Sequence, residues 1–223
     1  RGDKTRREHL TTPARAYTPP TPAGTELGGD PRRTREALLL CEAAGYTHIF
    51  IETVGVGQSE VMVRSMVDAF VLLLQPGAGD DLQGIKRGIM EMADLFVVTK
   101  ADGANLPAAK RAQQACEQAL ALFPPAEGGW QPQVLLSSAT ERTGLAAVRQ
   151  ALDAFHQQMQ AAGQWDNQRQ AQAVSWFESL LQEAILAHWR QQPGQAARLQ
   201  HLEKQVASGA LPPQAAVQQA LNA

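Results

Sequence analysis

The chain has 223 residues, 44% of them hydrophobic, enough for one sizeable α/β core with an appendage. Its 20 basic and 22 acidic side chains leave a net charge of −2, so no global field draws it to nucleic acid or to an anionic membrane. No stretch reaches the roughly 18 apolar residues of a membrane span, and the charged start at residues 1–8 is unlike a signal peptide, so a soluble, cytoplasmic protein is expected.

Residues 1–30, rich in Pro, Gly, Thr and charge, read as loop. From Pro31 the apolar positions Ala37, Leu40, Cys41 and Ala44 recur at helical spacing, which predicts a helix over 32–44 closed by Gly45 at its C′ position. A short apolar run predicts a strand over 48–51. A helix over 59–66, a strand over 69–74, a Gly-rich loop at 77–80 and a helix over 81–92 follow. Next come a strand over 95–98, a helix over 106–123, a strand over 134–136 and a helix over 144–159. Cys41 and Cys116 fall among apolar neighbours in the predicted helices, where reduced, buried thiols are expected.

Short apolar strands alternating with helices, without polar alternation inside the strands, indicate a parallel sheet covered on both faces. The fold class is therefore doubly wound α/β. After Gly163 the strands stop, and helices are predicted over 165–190, 195–206 and 212–221. In the first of these, Val174, Phe177, Leu181, Ile185 and Trp189 form an apolar stripe that needs a partner. The expected organisation is an α/β domain over 1–162 and a helical, dimerising extension over 163–223.

Three motifs carry chemistry. The apolar run 95–98 leads directly into Thr99-Lys100-Ala101-Asp102, at the strand end where doubly wound sheets bind nucleotides. A carboxylate at Asp102 can accept from the ring N–H and exocyclic amine of guanine, a donor pair adenine lacks, while Lys100 lays its aliphatic stem along the base. The alternative is an ordinary strand-to-helix turn with Asp102 capping the helix. One helix and one strand later the chain reads Ser137-Ser138-Ala139, whose small side chains let backbone N–H groups approach the guanine carbonyl.

The third motif is the run from Ile49 to Gln58, where an apolar segment ends in Glu52 and glycines stand at Gly55 and Gly57. Glu52 has the position of a carboxylate that holds Mg²⁺ through water, and Gly55 that of a backbone N–H reaching a terminal phosphate. Gly57 and Gln58 then lie in a segment free to follow nucleotide state. The five histidines show no zinc-ligand spacing.

Together with residues 40–46 and 80–86, these motifs resemble the MeaB/ArgK family of P-loop GTPases that act as chaperones of cobalamin enzymes. The run Glu52-Thr53-Val54-Gly55-Val56-Gly57-Gln58-Ser59-Glu60 is highly specific to it. The resemblance implies GTP and GDP as ligands, Mg²⁺ associated with Asp3 and Glu52, and guanine held by Thr99, Lys100 and Asp102 with Ser138 and Ala139 behind the base. It also implies a further switch at Asp80 and Asp81, residues that could equally cap a helix. The implied partner is methylmalonyl-CoA mutase or a related cobalamin-dependent mutase. Gly-x-x-x-x-Gly-Lys-[Ser/Thr] is absent from the sequence, so a partial P-loop sheet lacking its phosphate-loop strand is expected, inactive by itself. Other readings are an ATPase or kinase tied to lysine, arginine and ornithine transport, and a non-catalytic interaction module.

Overall fold

The computed structural model describes residues 31–53, 59–77, 87–124 and 127–221. These form α1 (Pro31–Ala43), α2 (Ser59–Arg64), β1 (Val71–Leu74), α3 (Arg87–Met92), β2 (Leu95–Val98), α4 (Leu106–Leu120), β3 (Gln133–Leu136) and α5 (Leu145–Ala161), followed by α6 (Gln164–Gln191), α7 (Gln195–Ala207) and α8 (Pro213–Leu221). The chain divides into two compact units after Arg169, inside α6.

In the first unit the strands form a wholly parallel sheet in the order β1-β2-β3, with Leu74 opposite Val98 and Val98 opposite Leu136. All four residues of β2 are buried, which explains its unbroken apolar sequence. Phe96 and Val98 pack with Ala109 and Cys116 of α4, whereas Leu95 and Val97 pack with Ala151 of α5. Adjacent residues of one strand thus serve two helical layers. Burial, and then the charge of Glu117, pushes the Cys116 thiol up to about 11, as suits an inert core group. Cys41, by contrast, is only half-buried.

Helix α1 ends as its sequence dictates. Gly45 adopts φ +86°, its N–H donates to the Glu42 carbonyl at 2.9 Å, and the Tyr46 N–H donates to the Cys41 carbonyl at 3.1 Å, closing a Schellman turn. The strand expected over 48–51 does not form: these residues are irregular, and Phe50 is 86% exposed. Among the described residues no strand pairs with Ile49–Ile51, and the apolar run alone does not make one.

Two polar nodes lock the end of the sheet where β2 begins. Asp94 accepts from the Phe70 N–H at 2.7 Å and from Arg64 at 2.9 Å, while its carbonyl accepts from Trp130 Nε1 at 2.8 Å. Nearby, Arg169 grips Asp68 through two nitrogens at 2.6 Å each and reaches Glu42 at 2.9 Å, and Gln168 donates to the carbonyls of Val67 and Asp68. The segment after α2 is thereby tied to the start of α6, about a hundred residues away in sequence.

The second unit has a small core of its own, where Leu202, Ala216 and Ala220 pack with Trp189, Val206 and Leu211. Trp189, expected in the α6 stripe, is instead part of this core. Val174, Phe177, Leu181 and Ile185 are exposed. No helix among the described residues is long and apolar enough to cross a membrane.

Burial raises the Asp94 pKa, opposed by the Arg64 charge and by the hydrogen bonds from Phe70 and Arg64. A neutral acceptor of the same shape should therefore be tolerated better than none. Asp94→Ala, which leaves the Phe70 N–H without an acceptor, should cost about 2–4 kcal/mol in urea unfolding, and Asp94→Asn less than half of that. Equal losses would show that charge, not the acceptor, matters at this node.

Candidate nucleotide site

Because β2 is buried on both faces and paired on both edges, the segment leaving its C-terminal end starts from a fixed point. The β2–β3 pairing continues past the strands: the Ser137 N–H donates to the Val98 carbonyl at 2.9 Å, and the Ala101 N–H to the Ser137 carbonyl at 3.1 Å. On the other edge Thr99 gives both its N–H, at 2.8 Å, and its hydroxyl, at 2.9 Å, to the Leu74 carbonyl. Lys100 between them adopts φ +54°, a left-handed conformation uncommon for a residue with a side chain. Its ammonium donates to Gln75 Oε1 at 3.0 Å.

Asp102 occupies the cap position of the short 3₁₀ turn Gly103–Asn105, but its side chain makes no capping bond. Its carboxylate instead accepts the hydroxyl of Ser138, a fully buried residue. The Ser138 Oγ in turn accepts from the Glu141 N–H at 3.0 Å, which leaves its proton for Asp102. Capping, the ordinary explanation for an aspartate at this place, is thus not what Asp102 does.

The loop carrying Ser138 closes on itself. Ser138 and Thr143 exchange backbone bonds at 3.0 and 3.1 Å, and Gly144 follows at φ +76°. A Cβ at Gly144 would lie 2.0 Å from the Leu136 carbonyl oxygen, so only glycine fits. Of the tripeptide 137–139, the N–H groups of Ser137 and Ser138 are used within the fold. Ala139 is exposed, and among the described residues nothing accepts from its N–H.

The structure therefore brings Thr99, Lys100, Asp102, Ser138 and Ala139 to the C-terminal end of the sheet. Glu52 lies outside this hydrogen-bonded group, exposed in the irregular stretch after α1. Asp3, Gly55, Gly57, Gln58, Asp80 and Asp81 lie outside the described residues. Among the described residues no three His, Cys, Asp or Glu side chains group to hold a metal ion. Sequence reasoning missed Gln75, Glu141, Thr143 and Gly144. For Gln75 the signal available was its place, one residue beyond a strand that neighbours β2.

The family described as methylmalonyl Co-A mutase-associated GTPase MeaB matches residues 1–194. Over 95% of its length the chain is 46% identical to the mitochondrial methylmalonic aciduria type A homolog of Mus musculus, covering 51% of that protein. It is 44% identical to GTPase ArgK of Escherichia coli over 84% of this chain and 56% of that one. The crystal structure of a LAO/AO transport system kinase matches with a TM-score of 0.74 and 35% identity, across 96% of this chain and 67% of the other. The chain thus spans roughly half of the length of the two curated relatives just named.

The glycine constraint predicts that Gly144→Ala loses more than about 3 kcal/mol of stability in denaturant titration, because the clash is with backbone and has no side chain to move aside. A loss under about 1 kcal/mol would mean that the 138–144 loop is not held in this form.

Proposed function

The chain belongs to the MeaB family of methylmalonyl Co-A mutase-associated GTPases, and on that premise we propose that it recognises the guanine of GTP and GDP through Thr99, Lys100, Asp102, Ser138 and Ala139. The partial P-loop-type sheet is the scaffold: a parallel core that delivers two loops to its C-terminal end. The observation that carries the reading is the hydroxyl of Ser138 turned onto the Asp102 carboxylate. A carboxylate steadied by one donor keeps acceptor capacity for two more, the number that guanine offers through its ring N–H and exocyclic amine. Adenine would leave that capacity buried and unfilled, at a cost of about 1–3 kcal/mol. The Ala139 N–H, which has no acceptor among the described residues, suits the guanine carbonyl, and the Lys100 stem can cover the ring.

In the whole protein this base site would serve a hydrolytic switch. Mg²⁺ would associate with Asp3 and Glu52 and supply charge to the phosphates, with Gly55, Gly57, Gln58, Asp80 and Asp81 in the segments that respond. The switch would act on methylmalonyl-CoA mutase or a related cobalamin-dependent mutase, controlling loading or protection of its cofactor, in the cytoplasm. The residues in hand select the base and position the ligand; none is assigned as general base.

The name of the similar LAO/AO transport system kinase raises ATP as a rival ligand. The Asp102 and Ser138 arrangement favours guanine. In the full-length protein, Asp102→Asn should move preference from GTP toward xanthosine triphosphate by about tenfold or more, since the amide donates where the carboxylate accepts. Competition binding reads this directly; preference for ATP in the unmodified protein would remove the GTPase reading.

The exposed residues Val174, Phe177, Leu181 and Ile185 support a homodimer built on α6, since an apolar stripe of this length is costly in water. Phe177→Glu combined with Ile185→Glu should halve the mass found by sedimentation equilibrium. A wild-type chain that sediments as a monomer would contradict the dimer.

A further inference from the structure

Gln75 lies outside every motif, yet its side chain accepts from the Lys100 ammonium. We infer that Gln75 is a positioning residue for guanine, anchoring the Lys100 ammonium so that the aliphatic stem stays where the base must lie. The inference rests on the guanine reading of this site and adds to it a residue from the neighbouring strand.

A lysine has four side-chain torsions, and a stem that covers a ring only part of the time binds it only part of the time. At Lys100 both ends are restrained. The backbone is held in its left-handed conformation by Thr99 on the Leu74 carbonyl and by Ala101 on the Ser137 carbonyl. The far end is held by Gln75 Oε1 at 3.0 Å. Since an ammonium only donates, the oxygen of the Gln75 amide, not its nitrogen, must face it.

Gln75 is itself placed by its neighbours. Leu74 before it is in register with Val98, which sets Gln75 beside the start of the Thr99–Asp102 segment. Pro76 after it disfavours helical backbone at Gln75 and favours extended backbone. The neighbouring strand therefore contributes twice to the base site: the Leu74 carbonyl orients the backbone of the motif, and the Gln75 side chain orients its lysine. A neutral acceptor also leaves the lysine charge intact.

The test uses the 223-residue chain and guanosine, a probe that reports base contacts without phosphates, titrated by saturation-transfer NMR with adenosine as control. Gln75→Leu should raise the guanosine Kd by about threefold to tenfold, the range expected for losing one solvent-exposed hydrogen bond. Gln75→Glu, which restores an acceptor, should recover binding. In a Lys100→Met background, where the stem remains and the anchored head is gone, Gln75→Leu should cause no further loss.

Thermal melts of each variant establish folding, and Gln75→Asn, whose reach is one methylene short, replaces Gln75→Leu if the latter unfolds. Unchanged guanosine affinity in a folded Gln75→Leu chain, or a further loss in the Lys100→Met background, overturns the role of Gln75 alone. A wild-type chain that does not prefer guanosine to adenosine overturns the guanine reading, and the role of Gln75 falls with it.

Discussion

The double burial of β2 is the constraint on which the rest of the molecule depends. Its four residues alternate between a core shared with α4 and a core shared with α5, and both of its edges are paired. A strand so enclosed cannot slip by one residue without exchanging every side chain between two packed layers. Its last residue is therefore a fixed origin, and the Thr99–Asp102 segment inherits that precision. The loop after β3 is brought alongside by the same ladder, carried two hydrogen bonds past the strands.

Precision at this end of the sheet comes from many modest bonds rather than one strong one. Thr99 spends its hydroxyl on the carbonyl of the adjacent strand. Ser138 is fully buried and its hydroxyl both donates and accepts, which fixes its orientation. Gly144 lets the chain turn within contact of the Leu136 carbonyl and close the loop. At the opposite end of the sheet Asp94 joins α2, β1, β2 and Trp130, so both ends of the central strand are restrained by polar groups as well as by packing.

How much of this was legible in the sequence follows from the range of the interactions. The strand 95–98 and the helices on either side of β3 could be read because their apolar spacing is a local property. The Schellman turn at Gly45 was legible for the same reason. The strand expected over 48–51 was not formed, since a strand requires a neighbour and an apolar run says nothing about whether one is present. Trp189 fits the stripe of α6 by spacing, yet packs with α7 and α8 because a helix with two apolar flanks can bury either. The clasp of Arg169 on Asp68 spans 101 residues and left no local signal. At the candidate site the segments 99–102 and 137–139 were legible as continuations of β2 and β3. What could not be foreseen was the direction of the Asp102 carboxylate, the consumption of the Ser138 N–H inside its own loop, and the reach of Lys100 to Gln75.

The central claim is that the site formed by the two loops distinguishes guanine from adenine. Amide hydrogen exchange of the chain with GDP and with ADP tests it most directly, residue by residue. The account predicts that GDP slows exchange at Ala139 and across residues 100–102, while ADP leaves these amides at their ligand-free rates. Equal protection by both nucleotides, or protection by GDP that spares Ala139 and residues 100–102, would contradict it.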